Sequence, residues 1–177
     1  MEEKIRCSSK LFALTVGLLC HIFFLAAVAS MLIGIYNGLL TSVGKLSGSS
    51  ALVAKLVLLL QFPLFHSWLL SSKGSRFLQR LSPREIAGDM AITWFALLAS
   101  MQILATFLLW SPSRKIIFEW QGPFRVLSIL FYVSSCLFLA VTMWDADISL
   151  QSGLKGWIAV VRSRRPKYRD FPQHRTF

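Results

Sequence analysis

Four apolar stretches, residues 11–36, 51–70, 88–110 and 124–144, alternate with short polar segments along the chain. Each is about 20 residues or longer, enough for an α-helix to cross roughly 30 Å of hydrocarbon. The pattern predicts helices over 11–36, 51–70, 83–110 and 124–144. The third starts early because Ser82-Pro83-Arg84-Glu85 fits an N-cap serine, a proline at the first helical position and a glutamate at the third. Trp110-Ser111-Pro112 ends that helix. Tryptophans recur at the ends of the stretches, at Trp68, Trp110, Trp120 and Trp144, as amphipathic rings do at a membrane interface.

After the fourth stretch, Leu150, Leu154, Trp157 and Val161 form one helical stripe. This predicts a short helix lying on the inner membrane face, weakened by Gly153 and Gly156. The expected class is all-α, an integral membrane four-helix bundle over 1–147. Residues 148–177 add the interfacial helix and a basic cytoplasmic tail. The Gly/Ser-rich segment 37–50 reads as a short, mobile outer loop. Pro63 should kink the second helix and free the carbonyl of Leu59.

Only 15% of the 177 residues are charged and 55% are hydrophobic, so chemistry rests on a few intramembrane polar groups and on the loops. The net charge of +11 would suggest nucleic acid in a soluble domain, but its distribution argues against that partner. Fourteen of the 19 basic residues precede the first stretch, separate the second from the third, or follow the fourth. The positive-inside rule then puts both termini in the cytoplasm, and the bacterial inner membrane is the expected location. The lipid bilayer and its anionic lipids are the expected partners. Their contacts would be Arg162, Arg164, Arg165, Lys167 and Arg169 in the tail. Ala27-Val28-Ala29 looks like a signal-peptidase site, but the acidic Met1-Glu2-Glu3 and the continuing apolar run predict an uncleaved first helix. Cys7, Cys20 and Cys136 form no close pair, so free thiols are expected, with acylation of Cys7 as an alternative.

Polar side chains are costly inside a membrane, so each invites a functional reading. His66 has two. It is a metal or haem ligand or substrate contact, or it is an interfacial histidine bonded to a backbone carbonyl; position alone favours the latter. Gln61 falls well around the helix from His66 and is placed to serve the backbone near Pro63. His21 lies deeper in the first stretch, by roughly 9 Å at 1.5 Å per residue, which argues against a bis-histidine haem site. Gln102 reads as a hydrogen-bonding contact between helices. Lys55, near an outer end, should reach toward the headgroups. Asp145 and Asp147 would pair with basic residues of the loop or tail, or else bind a cationic group such as a sulfonium. No metal-binding spacing, nucleophile elbow or phosphate-cradling loop is present, and no catalytic residue is assigned.

The order of features resembles a known family. Gln61 and His66-Ser67 lead into the basic segment 76–85, then Leu109-Trp110-Ser111-Pro112 and Trp120, then Asp147 and Gly153-Leu154-Lys155. Over roughly 56–177 this looks like the membrane region of NnrU-like and methanethiol S-methyltransferase-like proteins, relatives of isoprenylcysteine carboxyl methyltransferase. The resemblance implies a helical membrane enzyme that uses S-adenosylmethionine to methylate thiols or carboxylates. His66 would sit in its Gln/His/Ser segment, and the haem-bearing branch of the family would make His66 a haem ligand. The family's Arg-His-Pro-x-Tyr cofactor segment has no counterpart before Phe177, and His174 is not in such a motif. The expectation is a substrate-side half, non-catalytic unless a second membrane polypeptide supplies the cofactor site. The alternatives are a structural or assembly subunit and a haem protein.

Overall fold

A computed structural model describes residues 5–112 and 121–166. Among them there are helices and no strands. In chain order they are α1 (Cys7–Tyr36), α2 (Gly48–Leu70), α3 (Ser72–Arg80), a 3-10 turn (Arg84–Ile86), α4 (Ala87–Leu109), α5 (Pro123–Asp145), α6 (Ile148–Gln151) and α7 (Leu154–Val161). α1, α2, α5 and the run Arg84–Leu109 are each long and apolar enough to cross a membrane. The protein is therefore a multi-pass helical membrane bundle, as its hydropathy predicts.

α4 is the central helix. It packs on α1, α2, α3 and α7, whereas α1 and α2 share no substantial interface. The core joins Ala13, Val16 and Cys20 of α1, Ile86, Met90, Ala96 and Leu97 of the turn and α4, and Val160 of α7. Several of these side chains are small, which lets the helix backbones approach closely, the usual basis of helix association in lipid. α2 buries only Ala51 and Leu69, and α5 buries no residue. α5 touches α1 through Tyr132, whose hydroxyl donates to the Leu32 carbonyl at 2.9 Å.

Three local expectations are corrected. First, 148–161 is not one helix with Leu150, Leu154, Trp157 and Val161 as its packed stripe. The chain breaks after α5, with left-handed Asp147 (φ 65°) and Gly153 (φ 71°) bracketing α6, and α7 then enters the bundle. Gly153 lies against Thr93 and Ala96, and Gly156 against Asp89 and Thr93. The contacts descend α4 toward its start as α7 advances, so α7 runs along the bundle, antiparallel to α1 and α4. Its buried face is Gly153, Gly156 and Val160, while Leu154, Trp157 and Val161 are only partly covered. The glycines therefore form the contact. A Cβ on Gly156 would come within 2.5 Å of the Asp89 carbonyl oxygen.

Second, the capping box does not form. Glu85 lies in the 3-10 turn and accepts a hydrogen bond from Ser9 of α1, with Arg6 at 4.0 Å. The Ser82 hydroxyl instead accepts the indole N–H of Trp94 at 2.9 Å. A contact with α1 thus overrides the local cap. Third, the loop after α1 is strapped down. The amides of Val43 and Gly44 donate to the carbonyls of Leu108 (2.8 Å) and Trp110 (3.1 Å), and that of Leu46 donates to the Ser111 hydroxyl (3.2 Å). Lys55 lies over the Trp110 ring, 5.5 Å from its centroid, a cation–π contact in place of simple extension toward solvent.

Candidate functional site

The polar side chains of the spans meet most densely where α2 crosses α4. Gln102 and Thr106 are four apart and share one face of α4; Phe95, seven before Gln102, continues that face. Gln102 Nε2 donates to the Gln61 side-chain oxygen (2.7 Å) and backbone carbonyl (2.9 Å). Gln61 Nε2 donates back to the Gln102 carbonyl and to the Thr106 hydroxyl, both at 3.1 Å. The Thr106 hydroxyl lies 3.3 Å from the Leu58 carbonyl and 2.9 Å from that of Gln102. Gln102 is thus a contact between helices, as its position predicts. Gln61, expected to serve its own backbone, reaches α4 instead. The groups that bond the α2 carbonyls of Leu58 and Gln61, in the turn before Pro63, come from α4.

His66 lies one turn beyond Phe62, stacked on it at 5.0 Å, and packs on Phe95 at 4.8 Å. Its Nδ1 is buried and has no hydrogen-bond partner among the described residues, so the carbonyl bond expected of an interfacial histidine is not made there. Gln102 Oε1 is likewise buried without a partner among the described residues. Beside this network a cavity of about 560 Å³ opens sideways between Gln61, Leu64, Phe65, Trp68 and Gln102. Gln61, Phe65 and Trp68 follow a 4, 3 spacing along one face of α2, so an amide and two aromatic rings line the same opening.

His21 belongs to a different neighbourhood. Its Nδ1 lies 2.8 Å from the Gly17 carbonyl, and its ring meets Trp157 of α7 edge-on at 5.8 Å. Cys20, next to it, contacts the Thr93 carbonyl, while His66 contacts Phe95. Heights along α4 therefore nearly coincide, and the expected depth mismatch is not what separates the two imidazoles. α4, standing between α1 and α2, separates them, so they do not form a common haem site. Among the described residues no three His, Cys, Asp or Glu side chains are grouped to hold a metal ion.

At the break after α5, Asp147 pairs with Lys155 and accepts from the Ser149 hydroxyl. The Lys155 ammonium first, and Ser149 second, hold the Asp147 carboxyl down at about 2. Asp147 thus takes the basic partner expected of it, while Asp145 is exposed. Of the tail residues, Arg162, Arg164 and Arg165 are exposed. Lys167 and Arg169 lie outside the described residues, as do Trp120 and His174. Thr93 was not singled out by sequence, yet its hydroxyl donates to the Gly153 carbonyl at 2.8 Å and ties α7 to α4. Thr106 and Phe95 were also missed; their spacing from Gln102 is the signal that would have found them.

Compared with protein-family models, curated proteins and solved structures, the chain matches none. The class that can be stated is the one fold and hydropathy define, a multi-pass α-helical membrane protein. The family resemblance drawn above rests on its short motifs alone.

Proposed function

We propose that the protein handles a lipid-like molecule at the α2–α4 seam, with Gln61, Gln102 and His66 as its polar contacts. The observation that carries this reading is the unpartnered Oε1 of Gln102, a residue only 9% exposed, beside a groove that opens toward the bilayer. A buried acceptor left unpaired costs about 1–3 kcal/mol. A ligand with an apolar body and a hydroxyl or amide N–H would relieve that cost. Leu64, Phe65 and Trp68 supply the apolar wall. The reading suits the substrate side of the methyltransferase-like family named above and leaves any group transfer to a second polypeptide. Haem at a His21–His66 pair is disfavoured by α4 standing between them.

Native mass spectrometry after gentle extraction tests this. The wild type should retain a lipid-like mass that Gln102→Leu loses while remaining folded. Equal retention by both would overturn the assignment. A second reading, a subunit of a larger membrane assembly, draws on α5, which buries none of its residues. A second polypeptide co-purifying in the same spectrum would favour it.

A further inference from the structure

The segment between the second and third spans reads from sequence as a basic loop, but it contains a capped amphipathic helix. The Ser71 hydroxyl accepts the Gly74 amide at 3.2 Å and starts α3. Gly74 and Leu78, four apart, are the buried face. Gly74 sits so close to α2 that a Cβ would come within 2.5 Å of the Leu69 Cα. Lys73, Arg76 and Arg80, spaced three and four apart, share the exposed side. None of the three makes an ion pair among the described residues, and α3 carries no acid. The nearby Glu85 is taken by Ser9 of α1 and by Arg6 just before it.

An apolar path leads away from these cations. Phe77 of α3 packs on Trp68 at 5.5 Å, and Trp68 stacks on Phe65 at 5.4 Å. Trp68 and Phe65 are also walls of the α2–α4 groove. A basic face and an aromatic row that runs from it into a lateral groove match the two ends of one molecule. Free phosphate would use only the first end.

We propose that α3 is a headgroup site for an anionic phospholipid. Lys73, Arg76 and Arg80 hold its phosphate, and one acyl chain follows Phe77, Trp68 and Phe65 toward the groove. Basic residues at a membrane surface each contribute about a fivefold gain in affinity for anionic lipid. The fixed spacing on a clamped helix adds selection among headgroups. The site differs from the tail contacts expected at Arg162, Arg164 and Arg165.

The test uses the full chain in detergent with an equimolar mixture of phosphatidylglycerol and phosphatidylcholine of identical chains, read by native mass spectrometry. The wild type should retain phosphatidylglycerol about tenfold or more over phosphatidylcholine. K73Q/R76Q/R80Q should bring the ratio near one, and R162Q/R164Q/R165Q should leave it unchanged. The charge-preserving K73R/R76K/R80K should keep the preference, which separates charge loss from misfolding. A preference that survives in K73Q/R76Q/R80Q, or vanishes with R162Q/R164Q/R165Q, overturns the proposal. Displacement of the lipid by inorganic phosphate at matched concentration would assign the site to free phosphate and also overturn it. Retention lost in Gln102→Leu is a separate readout, so the seam reading can stand if the α3 site fails.

Discussion

The hydroxyl of Thr93 donates to the carbonyl of Gly153 at 2.8 Å, joining the middle of the bundle to the point where the last helix turns inward. Gly153 is left-handed and has no hydrogen-bonding side chain, so this bond fixes the break through the backbone itself. Hydrogen bonds between membrane helices contribute about 1 kcal/mol. Thr93→Val should therefore lower stability by about that amount, seen as a lower melting temperature by circular dichroism in detergent. An unchanged melting curve would remove the bond from the account of how α7 is held.

Gly156→Ala should cost about 1–3 kcal/mol, because its methyl would press on the Asp89 carbonyl and the Thr93 hydroxyl. Gly153→Ala adds a backbone cost of about 1–2 kcal/mol for an L-residue in a left-handed conformation. Gly88→Ala, at a helical position where a Cβ meets nothing within 4 Å, is the matched control and should be neutral or stabilising by up to about 1 kcal/mol. If all three behave alike under urea or thermal unfolding, the close packing of α7 is refuted.

Gln61 and Gln102 should be energetically coupled. Each single change to Leu leaves the other amide facing apolar surroundings, whereas the double change removes both. A double-mutant cycle should give a coupling of about 1 kcal/mol, and strict additivity would contradict the bonds that join them.

Asp147 gives a pH dependence with a definite sign. Lys155 and Ser149 favour its ionised form in the folded chain, lowering its pKa from 3.8 to about 2. Its contribution is complete above the ordinary value and is lost as pH falls from 3.8 toward about 2. Asp147→Asn should flatten that part of the pH–stability curve. A curve identical to wild type would show that the pair with Lys155 does not hold the α6–α7 turn.

Topology follows from the basic residues. Tags at both termini should resist external protease, and cleavage should occur at the loop around Ser47. Digestion of the C-terminal tag in sealed vesicles would overturn the expected orientation.

The four spans were legible because hydropathy summed over some 20 residues dominates any local signal. Gln61, His66 and Gln102 stood out too, since polar groups are conspicuous in apolar runs. Their pairing was not. Helical spacing tells which residues share a face, but which helix that face meets is a tertiary fact. Gly153 and Gly156 were misread for a related reason. Propensity describes an isolated helix, where glycine only weakens, whereas against α1 and α4 the lack of a side chain permits contact. Glu85 fitted a local cap and was drawn away by Ser9, 76 residues earlier in the chain.

The short α7 bears on biogenesis. At eight residues it cannot be recognised as a span by an insertion machinery that reads about 20. α5, with 23 residues, can. The surface α7 occupies is built jointly by α1 and α4, two helices separated in the chain by α2 and α3. α7 thus depends on a finished pair: it can dock as a latch only where α1 and α4 have already met.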